Sequence, residues 1–288
     1  MPLDVMLLVL FGAALHAGWN ALVKSSPDKF ADTVLVAAGS GALAAIALPF
    51  LPLPAPAAWP FALASGAIHL AYFSLVAAAY RLGDMGIAYP LMRGTAPLLV
   101  ALLSGALIGE DPGLGTWAGV LLVSGGVLAL ALDHRRPRGA AVAAMAGQGR
   151  SVAFALLNAL VIATYTIVDG MGARASGHPV AYTLWILLMT AVPLSALALL
   201  QRGGGALLGS LRARWPVALI GGGCTLGAYA LALWAMTRAP IAAVAALRET
   251  SILFGMALAA LVLKERTGPA RLTAGAAIAA GAVALRLG

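Results

Sequence analysis

Residues 33–80 read TVLVAAGSGALAAIALPFLPLPAPAAWPFALASGAIHLAYFSLVAAAY and contain no Asp, Glu, Lys or Arg. As a single helix, this run of 48 residues would be about 72 Å long, more than twice the roughly 30 Å hydrocarbon thickness of a bilayer. Four prolines in its middle, within LPLPAPAAWP at residues 51–60, remove backbone donors and end helices. The run therefore predicts two membrane-spanning helices joined by a proline-rich turn.

The composition of the whole chain agrees with a membrane environment. Of its 288 residues, 62% are hydrophobic and 10% charged, whereas soluble domains are about 45–50% apolar and about 25% charged. This balance excludes soluble enzymes, nucleic-acid binders and disordered scaffolds.

The net charge of +8 is expected to orient loops at a membrane. The single cysteine, Cys224, excludes an internal disulfide and a cysteine-based metal site, and we expect no cofactor.

Similar apolar runs follow one another along the chain, and each is long and continuous rather than alternating. The sequence therefore predicts an all-α polytopic membrane protein with ten spans. The predicted spans are 5–23, 30–50, 59–80, 86–108, 113–132, 151–171, 179–200, 214–236, 241–262 and 269–286.

Basic residues are distributed unevenly between the two faces that these spans define. The loops after the odd-numbered spans hold 13 Lys and Arg, whereas the opposite face, with both termini, holds only Arg174, Arg238 and Arg286. Because basic loops stay in the cytoplasm, we expect both termini to lie outside.

The two halves of the chain resemble each other in sequence. At an offset of 155 residues, Arg93 aligns with Arg248 and Glu110 with Glu265. This predicts a five-helix repeat at 1–132, a basic linker at 133–150 and a second five-helix repeat at 151–288. Because five is odd, the second repeat enters the membrane from the other face, which is typical of transporters with inverted repeats around a central cavity.

Three short motifs carry a family resemblance. HAGWNALVK lies at residues 16–24, and IGED at 108–111 is echoed by LKER at 263–266. With ten spans in two repeats, the chain resembles the EamA-type members of the drug/metabolite transporter superfamily. The resemblance implies a secondary transporter, often an exporter of amino acids or other small metabolites, with a cavity between the halves. The small multidrug exporters of that superfamily couple protons through a glutamate in the first span. Here that span offers His16, Trp19 and Asn20 instead, so their coupling mechanism does not transfer.

Arg93 and Arg248 are the residues we expect to bind substrate. Each lies near the middle of its span, where a charge costs at least about 2.5–3.5 kcal/mol and should face a cavity or a partner. Two guanidiniums can hold a carboxylate or a phosphorus oxyanion through forked hydrogen bonds. The alternative is a purely structural ion pair with Glu249 or Asp169. Glu249 is also the candidate for proton coupling, with a structural pairing to a neighbouring helix as the competing interpretation.

A set of polar and aromatic side chains completes the predicted site. Residues three or four apart share one face of a helix, which places His69 with Tyr72 and Tyr89 with Arg93. Such a wall can stack an apolar side chain and hold a polar head. For His69, a structural role is the alternative. The predicted substrate-binding set is Trp19, Asn20, His69, Tyr72, Tyr89, Arg93, Tyr165 and Arg248.

These patterns predict a secondary transporter rather than an enzyme, because the common catalytic motifs are missing from the sequence. The expected substrates are small polar metabolites with a carboxylate or phosphorus oxyanion, amino acids first, and the expected mechanism is export by alternating access. A flippase for an anionic or lipid-linked substrate is the main alternative. The expected location is the bacterial cytoplasmic membrane. The expected partners are a small-molecule solute, membrane lipid and protons, and not nucleic acid. A monomer is one candidate assembly.

Overall fold

A computed structural model describes residues 1–26, 28–82, 85–132, 149–262 and 268–288. Within these ranges the chain forms helices and turns and contains no strand. Most of the predicted linker (133–148) and the LKER motif lie outside the described residues. The helices are α1 (Leu3–Lys24), α2 (Lys29–Ala47), α3 (Trp59–Leu82), α4 (Met85–Ile108), α5 (Leu114–Leu132), α6 (Gly149–Ala175), α7 (Pro179–Arg202), α8 (Gly204–Pro216), α9 (Gly222–Met236), α10 (Ile241–Arg248), α11 (Ser251–Val262) and α12 (Pro269–Leu287).

Ten segments of the described chain are long and apolar enough to cross a membrane, which confirms the predicted number of spans. The proline-rich turn lies where the sequence predicts it. Short 3₁₀ turns at Leu48–Phe50 and Pro56–Ala58 end α2 and lead into α3, because proline fixes the backbone and cannot donate to a continuing helix.

The eighth span differs from its prediction. It covers Gly204–Met236, so the predicted start at residue 214 is ten residues too late. The added part lies within α8, which contains three glycines and two arginines and has no buried residue, so its composition predicted a loop. The backbone kinks at Arg214, with φ −131° and ψ 28°, and a π-helical turn follows at Val217–Gly221.

The ninth span is also broken. Instead of one helix over 241–262, the chain forms α10 and α11, which are separated by a turn at Glu249 and Thr250. In this turn the amide of Glu249 donates to Ala246 O (3.0 Å) and the amide of Thr250 to Leu247 O (3.1 Å). These are contacts between residues three apart, and a 3₁₀ turn inside a helix often marks a functional hinge.

The chain packs as two compact units that do not follow the two sequence halves. Unit 1 comprises Met1–Leu7, Ala71–Ile167 and Ala239–Gly288; unit 2 comprises Leu8–Leu70 and Val168–Arg238. Each unit therefore combines helices from both predicted repeats.

In unit 1, α5 and α12, the last spans of the two repeats, pack against each other through small residues. A Cβ on Gly126 would lie 2.7 Å from Ile278 Cγ1, and a Cβ on Gly281 would lie 2.7 Å from Val123 Cγ2. Gly126 and Gly281 are equivalent at the 155-residue offset of the repeat. Small residues allow such close approach of helices in lipid, so repeat-equivalent glycines form this contact.

Unit 2 is packed around α2, α7 and the broken eighth span. The backbone of Gly39 in α2 lies against the carbonyl of Ala218, so a side chain at position 39 would collide with it. Asp32 at the start of α2 is fully buried and pairs with Arg214 at 2.5 Å. The kinked residue of the eighth span is thus held by an ion pair to α2.

Candidate functional site

A buried ion pair between Arg93 and Glu249 forms the centre of the candidate site. Arg93 Nε lies 2.9 Å from Glu249 Oε2, and Arg93 Nη2 lies 2.8 Å from Glu249 Oε1. Arg93 is 7% exposed and Glu249 is 4% exposed. A forked contact of this kind engages both carboxylate oxygens and fixes the orientation of both side chains. An ion pair between Arg93 and Glu249 was the alternative to substrate binding in the sequence analysis.

Both residues of the ion pair lie next to an interruption in their helix. Glu249 lies in the turn between α10 and α11, where Thr250 Oγ1 also donates to Leu247 O at 2.7 Å. Arg93 lies in α4 between two internal prolines, Pro90 and Pro97. Proline has no N–H to give to the carbonyl four residues before it. The pair is therefore held by two spans whose regular hydrogen bonding is interrupted close to the charges.

Three tyrosines from three helices of unit 1 interact electrostatically with the ion pair. The rings of Tyr72 (α3) and Tyr165 (α6) meet edge to face, with centroids 5.8 Å apart. Tyr72 and Tyr89 are both within electrostatic range of Arg93 and Glu249. Tyr165 is within range of Arg93. Phenol rings give this cluster apolar faces and hydroxyl groups at its edges.

Arg248 brings a second cation to the same cluster. It is half-buried and lies within electrostatic range of Tyr72 and Glu249. Two arginines and one glutamate therefore belong to this part of unit 1. We name the set of Tyr72, Tyr89, Arg93, Tyr165, Arg248 and Glu249 the arginine–tyrosine cluster.

The other three predicted site residues lie in unit 2. The Asn20 side-chain amide donates to His16 O at 2.8 Å, and the Trp19 ring meets His16 edge to face at 5.2 Å. Within the part of the chain that the structure describes, the buried indole nitrogen of Trp19 has no hydrogen-bond partner. His69 Nδ1 lies 2.9 Å from Ser65 O.

Two residues of unit 2 were not proposed as site residues from the sequence. The Tyr229 hydroxyl donates to Asp169 Oδ2, and Asp169 is fully buried. The His69 ring lies edge to face against Tyr229, with centroids 6.2 Å apart. In the sequence analysis, Asp169 is only a possible ion-pair partner of an arginine. Its position inside an apolar span could have indicated a site residue, because acids are rare there.

Glu110, which aligns with Glu265 in the repeat, contacts the start of a helix. Its Oε2 accepts a hydrogen bond from the amide of Ile241 at 2.9 Å. This satisfies one of the free donors in the first turn of α10 and favours a negative charge there. Among the residues that the structure describes, no three His, Cys, Asp or Glu side chains are grouped as metal ligands would be.

Comparison with known proteins identifies the family. The sequence pattern of the EamA-like transporter family matches this chain twice, at residues 4–132 and 149–287. The chain belongs to the EamA-like transporter family. The double match fits a chain built from two repeats, and the family resemblance is confirmed. An EamA-like protein is a membrane transporter of the drug/metabolite transporter superfamily and not an enzyme.

The structural comparison agrees on the fold. A crystal structure described only as that of a protein superposes with a TM-score of 0.69 and 21% sequence identity. The match covers 98% of this EamA-like chain and 95% of the other. A comparison with curated proteins finds no match.

Proposed function

We propose that this EamA-like protein is a secondary transporter that exports small polar metabolites bearing a carboxylate or a phosphorus oxyanion. Amino acids are the first candidates. The observation that carries the proposal is the arginine–tyrosine cluster, which holds two arginines and one glutamate within membrane-spanning helices. Guanidinium groups favour an anionic solute because they bind carboxylates and phosphates through forked hydrogen bonds.

The arginines explain why an anion should bind there. Glu249 contacts Arg93 through the fork at 2.8 and 2.9 Å, and Arg248 is a second guanidinium within electrostatic range of Glu249. An ionised group inside the bilayer is costly, at least about 2.5–3.5 kcal/mol. The planar fork of a guanidinium matches two oxygens of a carboxylate or phosphate.

The tyrosines supply the remaining recognition. Tyr72 and Tyr165 present ring faces and edges that can stack an apolar side chain, and their hydroxyls and that of Tyr89 can orient a polar group. These groups suit a solute with one anionic end and one apolar or polar end. Amino acids have this form.

The broken ninth span supports a transport mechanism. In many secondary transporters, interrupted helices form the substrate site because their ends offer unpaired backbone groups. Here the interruption at Glu249 and Thr250 includes one partner of the ion pair. We propose that a change at this turn accompanies alternating access, with both termini outside the bacterial cytoplasmic membrane and a monomer as the working unit.

The experiment is ligand binding and uptake with purified protein. A thermal-stability screen over amino acids, organic acids and phosphonates should identify stabilising anions, because a ligand that binds the folded state raises its stability. Uptake of the best ligand into liposomes should fall strongly in Arg248→Gln and stay unchanged in Arg212→Gln, an exposed arginine of α8. Equal uptake in all three proteins would exclude the cluster as the substrate site.

A flippase for an anionic lipid is the second candidate. It is favoured by an apolar cleft of about 390 Å³ in unit 2, lined by Leu63, Gly66, Leu70, Met189 and Val192 among others. Such a cleft suits an acyl chain. Lipid scrambling in the same liposomes, without solute uptake, would support this function instead.

A further inference from the structure

We infer that unit 2 carries a second oxyanion-binding site, in a cavity of about 340 Å³ at the ends of its helices. Its ligand is a carboxylate or phosphate group, on a small solute or on a lipid head. All residues that line the cavity belong to unit 2, whereas the arginine–tyrosine cluster belongs to unit 1. The inference therefore goes beyond the proposed substrate site and does not depend on it.

Four segments of the chain form the cavity. The end of α6, the start of α7 and the end of α9 supply three walls, and Leu51 and Pro52 of the proline-rich turn supply the fourth. Because the ends of membrane spans lie where the bilayer meets water, a dissolved anion or a lipid headgroup can reach the cavity. Its volume is at the lower end of the range for small-molecule sites, about 300–1,000 Å³.

Hydrogen bonds hold these walls together. Arg174 Nε, in the last turn of α6, donates to Met236 O at the end of α9, over 2.7 Å. The amide of Ala55 donates to Ser176 O at 3.0 Å, which joins the proline-rich turn to the turn between α6 and α7. Within that second turn, the amide of His178 donates to Ser176 Oγ at 3.1 Å. These contacts fix the walls relative to one another, so binding requires little reorganisation.

Arg238 is the residue that we expect to bind the anion. It is exposed, and its Cζ lies 5.3 Å from the centroid of the Trp234 ring. Such a contact attracts the cation to the ring. Because the indole N–H is only a donor, the contact orients the guanidinium without satisfying its N–H groups. Both residues line the cavity, where the guanidinium can bind two oxygens of a carboxylate or phosphate.

Other donors line the same cavity. His178, which is exposed, precedes the first turn of α7, and even a neutral imidazole can donate one N–H. The first turn of a helix directs its N–H groups beyond the helix end, and Val180 and Ala181 of that turn line the cavity. The cavity and Arg238 define the site, while the helix start adds donors and a favourable partial charge.

The basic residues of this membrane face are concentrated at the cavity. The sequence assigns Arg174, Arg238 and Arg286 to the face that holds both termini, and the first two of them line the cavity. Because Lys and Arg are scarce on the outer face of a membrane protein, two arginines at one cavity there indicate a role in binding.

Hydrogen–deuterium exchange of the purified protein, titrated with inorganic phosphate at constant ionic strength, tests the site. We expect phosphate to slow exchange in peptides that cover residues 176–183 and 234–239, and the midpoint of the titration gives an apparent dissociation constant. Arg238→Gln should raise this constant at least about tenfold, because a charge-assisted hydrogen bond is lost. Arg238→Lys, which keeps the charge and loses the fork, should give an intermediate value.

Two control variants show whether the effect is specific to the cavity. Arg212→Gln makes the same change at an exposed arginine of α8, and Arg248→Gln makes it in the arginine–tyrosine cluster. Both should leave the phosphate response of the two peptides unchanged. Exchange in the rest of the chain reports whether each variant is folded. No slowing by phosphate, or the same dissociation constant in wild type, Arg238→Lys and Arg238→Gln, would overturn the inference for a free anion.

Nanodiscs of defined composition separate the two sources of the anion. Slower exchange of the two peptides in discs with phosphatidylglycerol than in discs of phosphatidylcholine alone, without added phosphate, would assign the site to a lipid headgroup. Slowing by phosphate in phosphatidylcholine discs would assign it to a soluble anion. If neither occurs, the site does not exist. A failure to detect solute uptake would count against the proposed function only, since exchange is measured without transport.

Discussion

Breaking the Arg93–Glu249 pair should destabilise the protein far more than breaking an exposed pair. Both partners are more than nine-tenths buried, and two contacts of 2.8 and 2.9 Å join them. Removing one partner of a buried pair leaves an uncompensated charge and typically costs about 3–5 kcal/mol. Arg93→Met and Glu249→Leu should each lower the free energy of unfolding by about this amount.

The double variant should be much less harmful than the sum of the two single variants. Replacing both partners by apolar residues of similar size is often neutral or stabilising. The Asp28–Arg202 pair is the control, because its side chains are 48% and 37% exposed, and exposed pairs contribute about 0.2–1 kcal/mol. Asp28→Asn is the suitable change there, since Asn keeps the side-chain acceptor for the Ala31 amide at the start of α2.

Reversible unfolding in mixed detergent, followed by circular dichroism, measures the free energy for each protein of the two double-mutant cycles. We expect a coupling energy of several kcal/mol for the buried pair, and one of about 1 kcal/mol or less for the exposed pair. If Arg93→Met and Glu249→Leu each cost no more than the variants of the exposed pair, Arg93 and Glu249 do not form a buried ion pair.

Three further predictions concern packing, pH and topology. Gly126→Ala should lower stability by about 1–3 kcal/mol, because the new Cβ would lie 2.7 Å from Ile278 Cγ1; Gly125→Ala, where nothing lies within 4 Å, should be neutral or slightly stabilising in the same thermal unfolding assay. The hydrogen bond from Arg202 lowers the pKa of Asp28 from its ordinary value of 3.8, so its contribution to stability is present above that pH and is lost as the pH falls through the lowered pKa. A pH titration of the melting temperature should be flatter at its acidic end in Asp28→Asn, and an unchanged curve would exclude the pair. A fluorescent protein that needs the cytoplasm to fold should stay dark when fused to the C-terminus, and a bright fusion would reverse the predicted orientation.

The spans and most of the arginine–tyrosine cluster could be predicted from the sequence. Span number depends on length and apolar composition, which are local properties. The offset between the repeats paired Arg93 with Arg248, and helical spacing placed Tyr89 near Arg93. These are periodic signals, and the structure brings the residues together in unit 1.

The sequence did not predict features that depend on packing between distant segments. Nothing in the local pattern breaks the helix at Glu249 and Thr250, since neither is Gly or Pro; the turn occurs where Glu249 meets Arg93 in another helix. The contact between Tyr229 and Asp169 joins residues 60 positions apart, and it depends on how α6 and α9 pack. The early start of the eighth span was not predicted, because its first helix, α8, is exposed and contains glycines and arginines, as loops do.

Binding of one anionic solute and of its neutral amide tests the central claim most directly. Isothermal titration of the solute found in the stability screen should give measurable affinity for the carboxylate and little for the amide. The affinity for the carboxylate should fall about tenfold to a hundredfold in Arg248→Lys, because an ammonium keeps the charge and loses the fork that contributes about 1.5–3 kcal/mol. Equal binding of the acid and the amide, with the same affinity in wild type and Arg248→Lys, would contradict an anion site at the arginine–tyrosine cluster.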